Sequence, residues 1–416
     1  MTIVEFFDKV SVDNMISCLT VKPEKIIFIG DRKPMTRQCE AYKRLAERKG
    51  IDVDFEFVSV IRSNLQNIVE ALEKIVQTEA EVAFDLTGGE DLILVAMGMV
   101  YERYKSTKNI QMHRFNVGTG VILDCDYDGT TPTTEVPELT VEENIMLYGG
   151  AIVPFNGHKG TYDWDLNPDF TSDLEVLWGI CKRNPGLWNA QIHTVYYFLK
   201  FGSAEPDSLK ITASKTFIEK AMLNEGRKFT WDIDYMKALE RYGFINSLSD
   251  SEDFVSFCFK NEQIKQCLTK AGTLLELIVY YYSTLAVDKN GRKRFNDSRI
   301  GVYIDWDSSI HTADDDEKDT ENEIDVILMR GLIPIFISCK NGDVNENELY
   351  KLNTVAERFG GPYAKKVLVT SYAGKLTGDS RKYFEQRVKD MKIQLIEGVH
   401  ELTDSEFEKK IKNIVC

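Results

Sequence analysis

The residues best suited to chemistry lie near the carboxyl end, on two consecutive β-rich apolar runs. Asp325 stands near the start of the first run, and Lys340 closes the second, with Gly331 between them. Two adjacent strands reversed at that glycine would bring an acid and a lysine to one end of a sheet. Upstream, Glu276 adds a carboxylate within a strongly apolar helical pattern. Carboxylates with a lysine are the groups that metal-assisted cleavage of a phosphodiester requires.

A third acid, Glu323, precedes Asp325 by two positions, and side chains two apart on a strand share a face. Both carboxylates could therefore face one metal ion. A metal held by Asp325 and Glu276 would polarise the scissile phosphate and acidify a bound water, which Lys340 would orient. Hard oxygen ligands favour Mg²⁺ or Mn²⁺. Each residue taken alone fits a structural role, but the set in this order of elements favours a site.

The segment that carries these residues, 263–416, is predicted to begin with a helix and a β-meander and to continue with alternating helices and strands. Its acidic run, 314–321, is interpreted as a solvated loop. The predicted helices are 264–286, 346–359, 381–391 and 404–415, and the predicted strands are 299–304, 324–329, 332–338, 366–370 and 393–396.

Residues 1–150 alternate β-rich runs with helical patterns, which is typical of parallel βαβ units and predicts a Rossmann-like domain. Two strand-to-helix loops, 30–36 and 85–90, would open on the carboxyl edge of the sheet, where such folds bind ligands. Gly88 and Gly89 would let the backbone approach a ligand, and free amides at the helix start attract phosphate. The chain lacks G-x-G-x-x-G and Walker A patterns, which disfavours dinucleotide redox chemistry and ATP hydrolysis. The predicted strands are 25–30, 53–60, 82–85, 113–117 and 120–124, and the predicted helices are 36–49, 64–77 and 91–105.

Residues 151–262 carry helical patterns followed by a predicted hairpin over 243–259, an order that suggests a winged-helix module. The helix before the hairpin is not notably basic, so a packing spacer is favoured over DNA readout. The predicted helices are 172–181, 189–200, 211–223 and 235–242.

Composition restricts the class of protein. The chain has 416 residues and a formal net charge of −15, so nucleic acid would have to bind at a local basic surface. No apolar stretch reaches the roughly eighteen residues of a membrane span, and the amino terminus lacks a signal-peptide pattern. The cysteines show no Cys-x-x-Cys pair. We therefore expect a soluble cytoplasmic protein with free thiols.

Asp325, Lys340 and Glu276, in this order of elements, resemble the PD-(D/E)xK motif of restriction-endonuclease-like nucleases. The resemblance implies that Asp325 and Glu276 hold the metal, with the backbone carbonyl of Cys339 as a further ligand, and that Lys340 is catalytic. The chain departs from the motif at Ser338, because a serine hydroxyl is a poor metal ligand. Either Glu323 supplies the missing carboxylate or the site is weak. Relocation is favoured, because a decayed site has no need of a lysine ending an apolar strand.

The Asp-Leu-Thr-Gly-Gly turn at 85–89, fused to this motif, resembles the CRISPR-associated Rossmann-fold (CARF) domains. The whole chain is similar to CARF-fused nucleases of type III CRISPR antiviral defence that cyclic oligoadenylates activate. Further stretches that carry the resemblance are 139–149, 272–276, 322–326, 337–340, 349–352 and 358–361.

The resemblance implies a homodimer with one pocket for a two-fold-symmetric ring, cyclic tetra-adenylate, and allosteric cleavage of single-stranded DNA or RNA, or nicking of duplex DNA. Two rivals remain: a CARF and winged-helix transcriptional regulator with an inactive nuclease domain, and a Rossmann enzyme acting on a small metabolite. The residues expected around the ring are Asp31, Arg32, Lys33, Pro34, Met35, Thr87, Gly88, Gly89 and Glu90.

Overall fold

The structure is a computed structural model that describes residues 1–117, 121–124, 137–156, 159–202, 208–308, 321–371 and 377–414. Most of the acidic run at 314–321 lies outside the described residues. The cysteines inside them are free, and no helix among them is both long and apolar enough to cross a membrane.

A six-stranded sheet flanked by helices forms the amino-terminal part of the fold. Its strands follow the order β3-β2-β1-β4-β5-β6, in which only β6 is antiparallel to its neighbour. This confirms the predicted Rossmann-like arrangement. The elements are β1 (Thr2–Phe6), α1 (Ile16–Val21), β2 (Lys25–Gly30), α2 (Arg32–Arg48), β3 (Asp54–Ser59), α3 (Leu65–Thr78), β4 (Glu81–Asp85), α4 (Asp91–Tyr104), β5 (Asn109–Asn116) and β6 (Val121–Asp124).

The central strand of this sheet, β1, was not predicted. It is buried throughout and pairs with β2 on one side and β4 on the other. The run is only five residues long and includes the buried acid Glu5, so its apolar pattern is weak. Because the strand order reverses at β1, the loop that follows it lies at the switch point where open α/β sheets bind ligands.

The middle part is mainly helical and contains a three-stranded sheet of order β8-β10-β9. From α7 onwards its elements follow the helix, strand, two helices and hairpin order of a winged helix. Residues 211–214, predicted as the start of a helix, form a strand instead, because Ile211 and Ala213 are buried in pairing with β10. The elements are α5 (Val141–Leu147), β7 (Ala151–Ile152), α6 (Pro168–Arg183), α7 (Pro185–Phe201), β8 (Lys210–Ser214), α8 (Lys215–Asn224), α9 (Ile233–Arg241), β9 (Ile245–Asp250) and β10 (Phe254–Phe259).

The carboxyl-terminal part is a helix, a β-meander and then alternating helices and strands, as predicted. The helix expected over 264–286 is two helices, α10 and α11, separated at residues 270–272. The elements are α10 (Glu262–Thr269), α11 (Thr273–Leu285), β11 (Asp297–Asp305), β12 (Glu321–Arg330), β13 (Ile333–Lys340), α12 (Glu346–Gly360), β14 (Lys365–Thr370), α13 (Gly378–Asp390), β15 (Ile393–Ile396) and α14 (Asp404–Lys412).

The second six-stranded sheet has the order β15-β14-β13-β12-β11-β7 and packs on both faces. Strand β7 reaches it from the middle part and pairs with the end of β11. One face, with Leu328 and Ile337, shares a core with α11 and the middle helices. The other face, with Ile327 and Phe336, shares a core with α12, α5 and the amino-terminal sheet. This sheet therefore lies between the other two parts of the chain.

A buried acid, Asp13, lies where the amino-terminal part meets the carboxyl-terminal part. Its side chain contacts Tyr363, whose hydroxyl hydrogen-bonds to it. Burial raises the pKa of Asp13 to about 7 from an ordinary value of 3.8, and the hydrogen bond from Tyr363 offsets only part of that rise. The other titratable groups that interact with Asp13 are Glu5, Asp8, Asp85 and Tyr148.

We expect Asp13 to make the stability of the protein depend on pH. The folded state holds the Asp13 proton more tightly than the unfolded state, so the free energy of unfolding should fall as pH rises through about 4 to 7. Measured by denaturant unfolding, the advantage of wild type over Asp13→Asn should fall by about 2–3 kcal/mol between pH 5 and pH 8. Parallel pH curves for the two proteins would contradict this.

Candidate functional site

Asp325 lies at the point where β12 and β13 separate. The antiparallel pairs between the two strands extend only to Val326 and Ile337. Beyond this pair, the backbone N–H of Cys339 donates to Asp325 Oδ2 at 2.5 Å. The side-chain carboxylate thus accepts the hydrogen bond that a backbone carbonyl of β12 would accept in a regular sheet. A strand residue directs its N–H and C=O to the same side. The carbonyl of Cys339 therefore faces the same opening as Asp325.

A kink in the neighbouring strand lies opposite Asp325. The register of β11 and β12 omits the pair of Gly301 with Asp325, and Gly301 has a φ of 56°. Across this kink the side chains exchange faces, because Ile300 belongs to one core and Val302 to the other. A left-handed φ favours glycine, which has no Cβ to clash. Gly301 therefore allows the irregular backbone in which Asp325 lies.

Lys340 and Asp325 meet, as the sequence predicted. Lys340 Nζ lies 3.4 Å from Asp325 Oδ2, and the Ser338 hydroxyl donates to the same oxygen at 3.2 Å. Glu348, on the first turn of α12, is a second partner of the lysine, at 3.3 Å. Glu348 was not predicted from the sequence, where its only signal is its place in an acidic first helical turn. Ser338 thus holds the Asp325 carboxylate by a hydrogen bond.

Glu276 projects from the first turn of α11 toward the same carboxylates. Burial raises its pKa well above the ordinary value, and the charges of Asp325 and Glu323 raise it further. Burial also raises the pKa of Asp325, although Lys340 and the Cys339 N–H oppose that rise. Glu323 is exposed at the rim, where the Tyr303 hydroxyl donates to it at 2.8 Å. The Glu276, Asp325 and Glu323 carboxylates therefore repel one another in a partly desolvated space, and Lys340 lies beside Asp325.

The oxygen donors of Asp325, Glu276 and the Cys339 carbonyl are of the chemical type that a hard divalent cation prefers. Partly buried carboxylates that repel one another are stabilised by a cation, and carboxylate and carbonyl oxygens suit Mg²⁺ or Mn²⁺. Across the described residues, no three His, Cys, Asp or Glu side chains are grouped closely enough to hold a metal. The donors available are two side chains, from Asp325 and Glu276, and one backbone carbonyl, from Cys339.

The turn after Lys340 is bound to the middle part of the chain. The Asn341 side-chain amide donates to Asn189 Oδ1 at 3.1 Å and to Cys181 Sγ at 3.4 Å. In return, the Asn189 amide donates to the Asn341 carbonyl. Helix α7, which carries Asn189, thus fixes the backbone next to the lysine.

A cavity of about 660 Å³ opens at the carboxyl ends of β1, β2 and β3, within the size range of small-molecule sites. Of the expected ligand residues, Asp31, Lys33 and Pro34 line it. Arg358 of α12 reaches it from the carboxyl-terminal part. The other lining residues, which the sequence analysis missed, are Phe6, Phe7, Asp8, Lys9, Ser11, Gln38, Tyr42 and Arg62.

Arg62 is a half-buried cation of this cavity and lies between two acids. It follows β3, and its guanidinium pairs with Asp31 at 3.0 Å and with Glu90, to which its Nε donates at 2.9 Å. The signal in the sequence was its position just after a strand on the ligand-binding edge. Glu90, an expected ligand residue, thus contacts the cavity residue Arg62 and does not itself line the cavity.

The other expected ligand residues lie beside the cavity. The segment predicted as a loop begins α2 at Arg32, since Pro34 needs no amide donor in a first helical turn. Met35 is fully buried in the core. The Thr87 hydroxyl donates to Asp85 at 2.5 Å and accepts from the N–H of Phe115 at 2.8 Å.

The two glycines of that turn allow close packing. A Cβ on Gly88 would lie 3.2 Å from Asp8, and Gly89 has a φ of 131°. The turn therefore supports the β1 loop, which lines the cavity.

Solved structures of other proteins share this architecture. No protein-family model matches the sequence, and no curated protein matches it. Protein VC1899 from Vibrio cholerae aligns with a TM-score of 0.73 and 16% identity over 99% of both chains. Can2 from Sulfobacillus thermosulfidooxidans, solved with cyclic tetra-adenylate, aligns with a TM-score of 0.67 and 16% identity over 100% of this chain and 99% of its own. The chain shares their fold.

A third solved structure is a type III CRISPR defence DNA nuclease activated by cyclic oligoadenylate. It aligns with a TM-score of 0.50 and 15% identity, over 89% of this chain and 45% of that nuclease. At these identities the likeness shows the fold alone, a Rossmann-like sheet joined to a second mixed sheet.

Proposed function

We propose that this protein is a cyclic-oligoadenylate-activated, metal-dependent nuclease of type III CRISPR antiviral defence that acts in the cytoplasm. The observation that carries the proposal is the meeting of Asp325, Lys340 and Glu276 at the separated ends of β12 and β13. The full-length likeness to the fold of Can2, which was solved with cyclic tetra-adenylate, supports the activator.

Asp325, Glu276 and the Cys339 carbonyl would hold Mn²⁺ or Mg²⁺. When bound, the ion polarises the scissile phosphate and acidifies the attacking water. Lys340 orients that water and offsets charge on the phosphoryl oxygens. Ser338 and the Cys339 N–H fix the Asp325 carboxylate. Glu323 takes the place of the missing motif acid at the rim, on the solvent side. The substrate is single-stranded DNA or RNA, or duplex DNA that is nicked.

The amino-terminal cavity has the groups that a cyclic oligoadenylate requires. Arg62, Lys33 and Lys9 offer cations to its phosphates, while the half-buried Phe7 offers aromatic surface to an adenine. Asp31 and Glu90 pair with Arg62, and the turn with Gly88 and Gly89 packs against the β1 loop. A two-fold-symmetric ring fits a pocket that two copies of the chain share.

An apolar stripe on α4 is the surface proposed for the homodimer. Leu92, Val95 and Met99 recur at helical spacing and are 38%, 51% and 42% exposed. Ile61, next to the cavity residue Arg62, is 59% exposed. The stripe begins beside Glu90, so two copies joined there would place their cavities close together.

Val95→Asp is expected to dissociate the dimer. Burying an unpaired carboxylate in the interface should weaken association by about 100-fold or more. Sedimentation velocity at micromolar concentration measures the change in mass. Leu223→Asp, at a 71% exposed position on α8, is the matched control and should leave the mass unchanged. A Val95→Asp protein that remains dimeric would exclude this surface.

The proposed function is tested by incubating labelled single-stranded DNA and RNA, and supercoiled duplex, with the protein. Each substrate is tested with and without cyclic tetra-adenylate and Mn²⁺. Cleavage that needs both the ring and the metal supports the proposal. No cleavage of any substrate would refute it.

A regulator is the second candidate. The winged-helix order of α7 to β10 and the serine at position 338 favour a ligand-responsive transcription factor with an inactive nuclease part. Its α9 carries Asp234 and Glu240 beside Lys237 and Arg241, which is a poor surface for phosphates. Sequence-specific duplex binding without metal-dependent cleavage would decide for the regulator.

A further inference from the structure

Helix α12 connects the two candidate sites. Its first turn carries Glu348, which pairs with Lys340, and its last turn carries Arg358, which lines the amino-terminal cavity. They are ten positions apart, which corresponds to about 15 Å of helix. One side chain of this helix therefore touches the proposed catalytic lysine and another touches the proposed activator pocket.

The cavity end of α12 depends on polar contacts that an anion can compete for. The Arg358 guanidinium donates to the carbonyls of Tyr148 at 2.8 Å and Trp306 at 3.0 Å, and it lies over the Phe359 ring. The Asn144 amide of α5 donates to the Phe359 carbonyl at 2.7 Å. A phosphate is a stronger partner for a guanidinium than a neutral carbonyl. A phosphate in the cavity would thus redistribute the contacts of Arg358.

The rest of the helix can transmit such a shift. Leu349, Leu352, Val355 and Ala356 are buried along one face, in the same core as the cavity residue Tyr42. A packed helix moves as a unit because its core contacts have discrete arrangements. A displacement at Arg358 therefore reaches Glu348.

The active-site end of α12 is where that displacement matters. Glu348 lies between two lysines, at 3.3 Å from Lys340 and 3.4 Å from Lys351, and Lys340 in turn lies between Glu348 and Asp325. A small movement of Glu348 changes its distance from Lys340 Nζ. It therefore changes how strongly the lysine is attracted to Glu348 relative to Asp325.

We propose that Glu348 is a positioning residue for Lys340 and that α12 makes this positioning depend on the phosphate bound at Arg358. The inference rests on the proposed function. Through α12, the bound activator would affect the nuclease site of the same chain, in addition to any rearrangement of the dimer.

A double-mutant cycle tests the route. The maximal rate at saturating cyclic tetra-adenylate and saturating single-stranded DNA is measured for wild type, Glu348→Gln, Arg358→Gln and the double variant. Each single change is expected to lower the rate about tenfold, as loss of a supporting partner does. Because both act on one step, the double variant should also lose about tenfold to twentyfold, whereas independent effects would multiply to about a hundredfold.

Two further variants separate positioning from folding. Glu348→Asp keeps the charge and should recover the rate to within about threefold, with the KM for DNA unchanged in the whole series. Lys351→Gln removes the other partner of Glu348 and should stay within about twofold of wild type. Equal losses in Lys351→Gln and Glu348→Gln, or a multiplicative double variant, would overturn the proposal.

Hydrogen exchange distinguishes failure of this proposal from failure of the proposed function. Adding cyclic tetra-adenylate should slow exchange of the amides in 346–360 in wild type, and Arg358→Gln should remove that change while still binding the ring. Binding without any change in 346–360 overturns the route and leaves the nuclease intact. Wild type that neither binds nor cleaves refutes the function itself.

Discussion

Asp325→Ala is expected to lower activated cleavage about a thousandfold, to the level of the protein without metal. The carboxylate is a proposed metal ligand, and it also accepts from Ser338, Cys339 and Lys340. Its removal therefore takes away the ion and releases the groups around it. The measurement is single-turnover cleavage of a labelled strand with saturating cyclic tetra-adenylate and Mn²⁺.

Lys340→Ala should match this loss, whereas Lys365→Ala provides the control. Lys365 is exposed and begins β14, at the opposite end of the sheet from Asp325, so its removal should leave the rate within about twofold. Unchanged cleavage by both Asp325→Ala and Lys340→Ala would refute the site.

Arg62→Ala is the second change with a large expected effect, and it acts on the activator. Arg62 pairs with Asp31 and Glu90 in the cavity, so its loss removes a phosphate partner and leaves two acids facing the ring. We expect the dissociation constant for cyclic tetra-adenylate to rise about tenfold to a hundredfold. Isothermal titration measures it without reference to cleavage.

Arg32→Ala is the matched control for that experiment. Arg32 was expected at the ring from the sequence, but it lies in the first turn of α2 and does not line the cavity in the part of the chain that the structure describes. Its removal should change the dissociation constant by less than about threefold. If Arg32→Ala weakens binding more than Arg62→Ala, the ring does not occupy this cavity.

The order of elements was predictable because long periodic runs and glycine turns carry strong local signals. The meeting of Asp325 with Lys340 followed from two apolar runs reversed at Gly331. The strand β1 could not be predicted, because its run is short and contains a buried acid. The cavity residues at and after its end, from Phe6 to Ser11, were therefore not predicted either.

Other parts of the site depend on contacts between distant segments. Glu348 and Arg358 become relevant only when α12 packs between the two sites, and no local pattern encodes that position. The kink opposite Asp325 depends on a left-handed glycine at Gly301, which looks like any strand residue in the sequence. Residues 211–214 likewise form a strand because they pair with β10, a contact that no local pattern indicates.

The hydrogen bonds between Asn341 and Asn189 make it difficult to exchange one part of this chain for the corresponding part of another protein. A fragment cut from residues 263–416 would lack α7, and the turn after Lys340 would lose the amide pair that holds it. A chimaera that grafts a different sensor at residue 150 would meet the same difficulty at β7, whose strand completes the sheet of the other part. Recombination should therefore preserve this architecture as one inherited block.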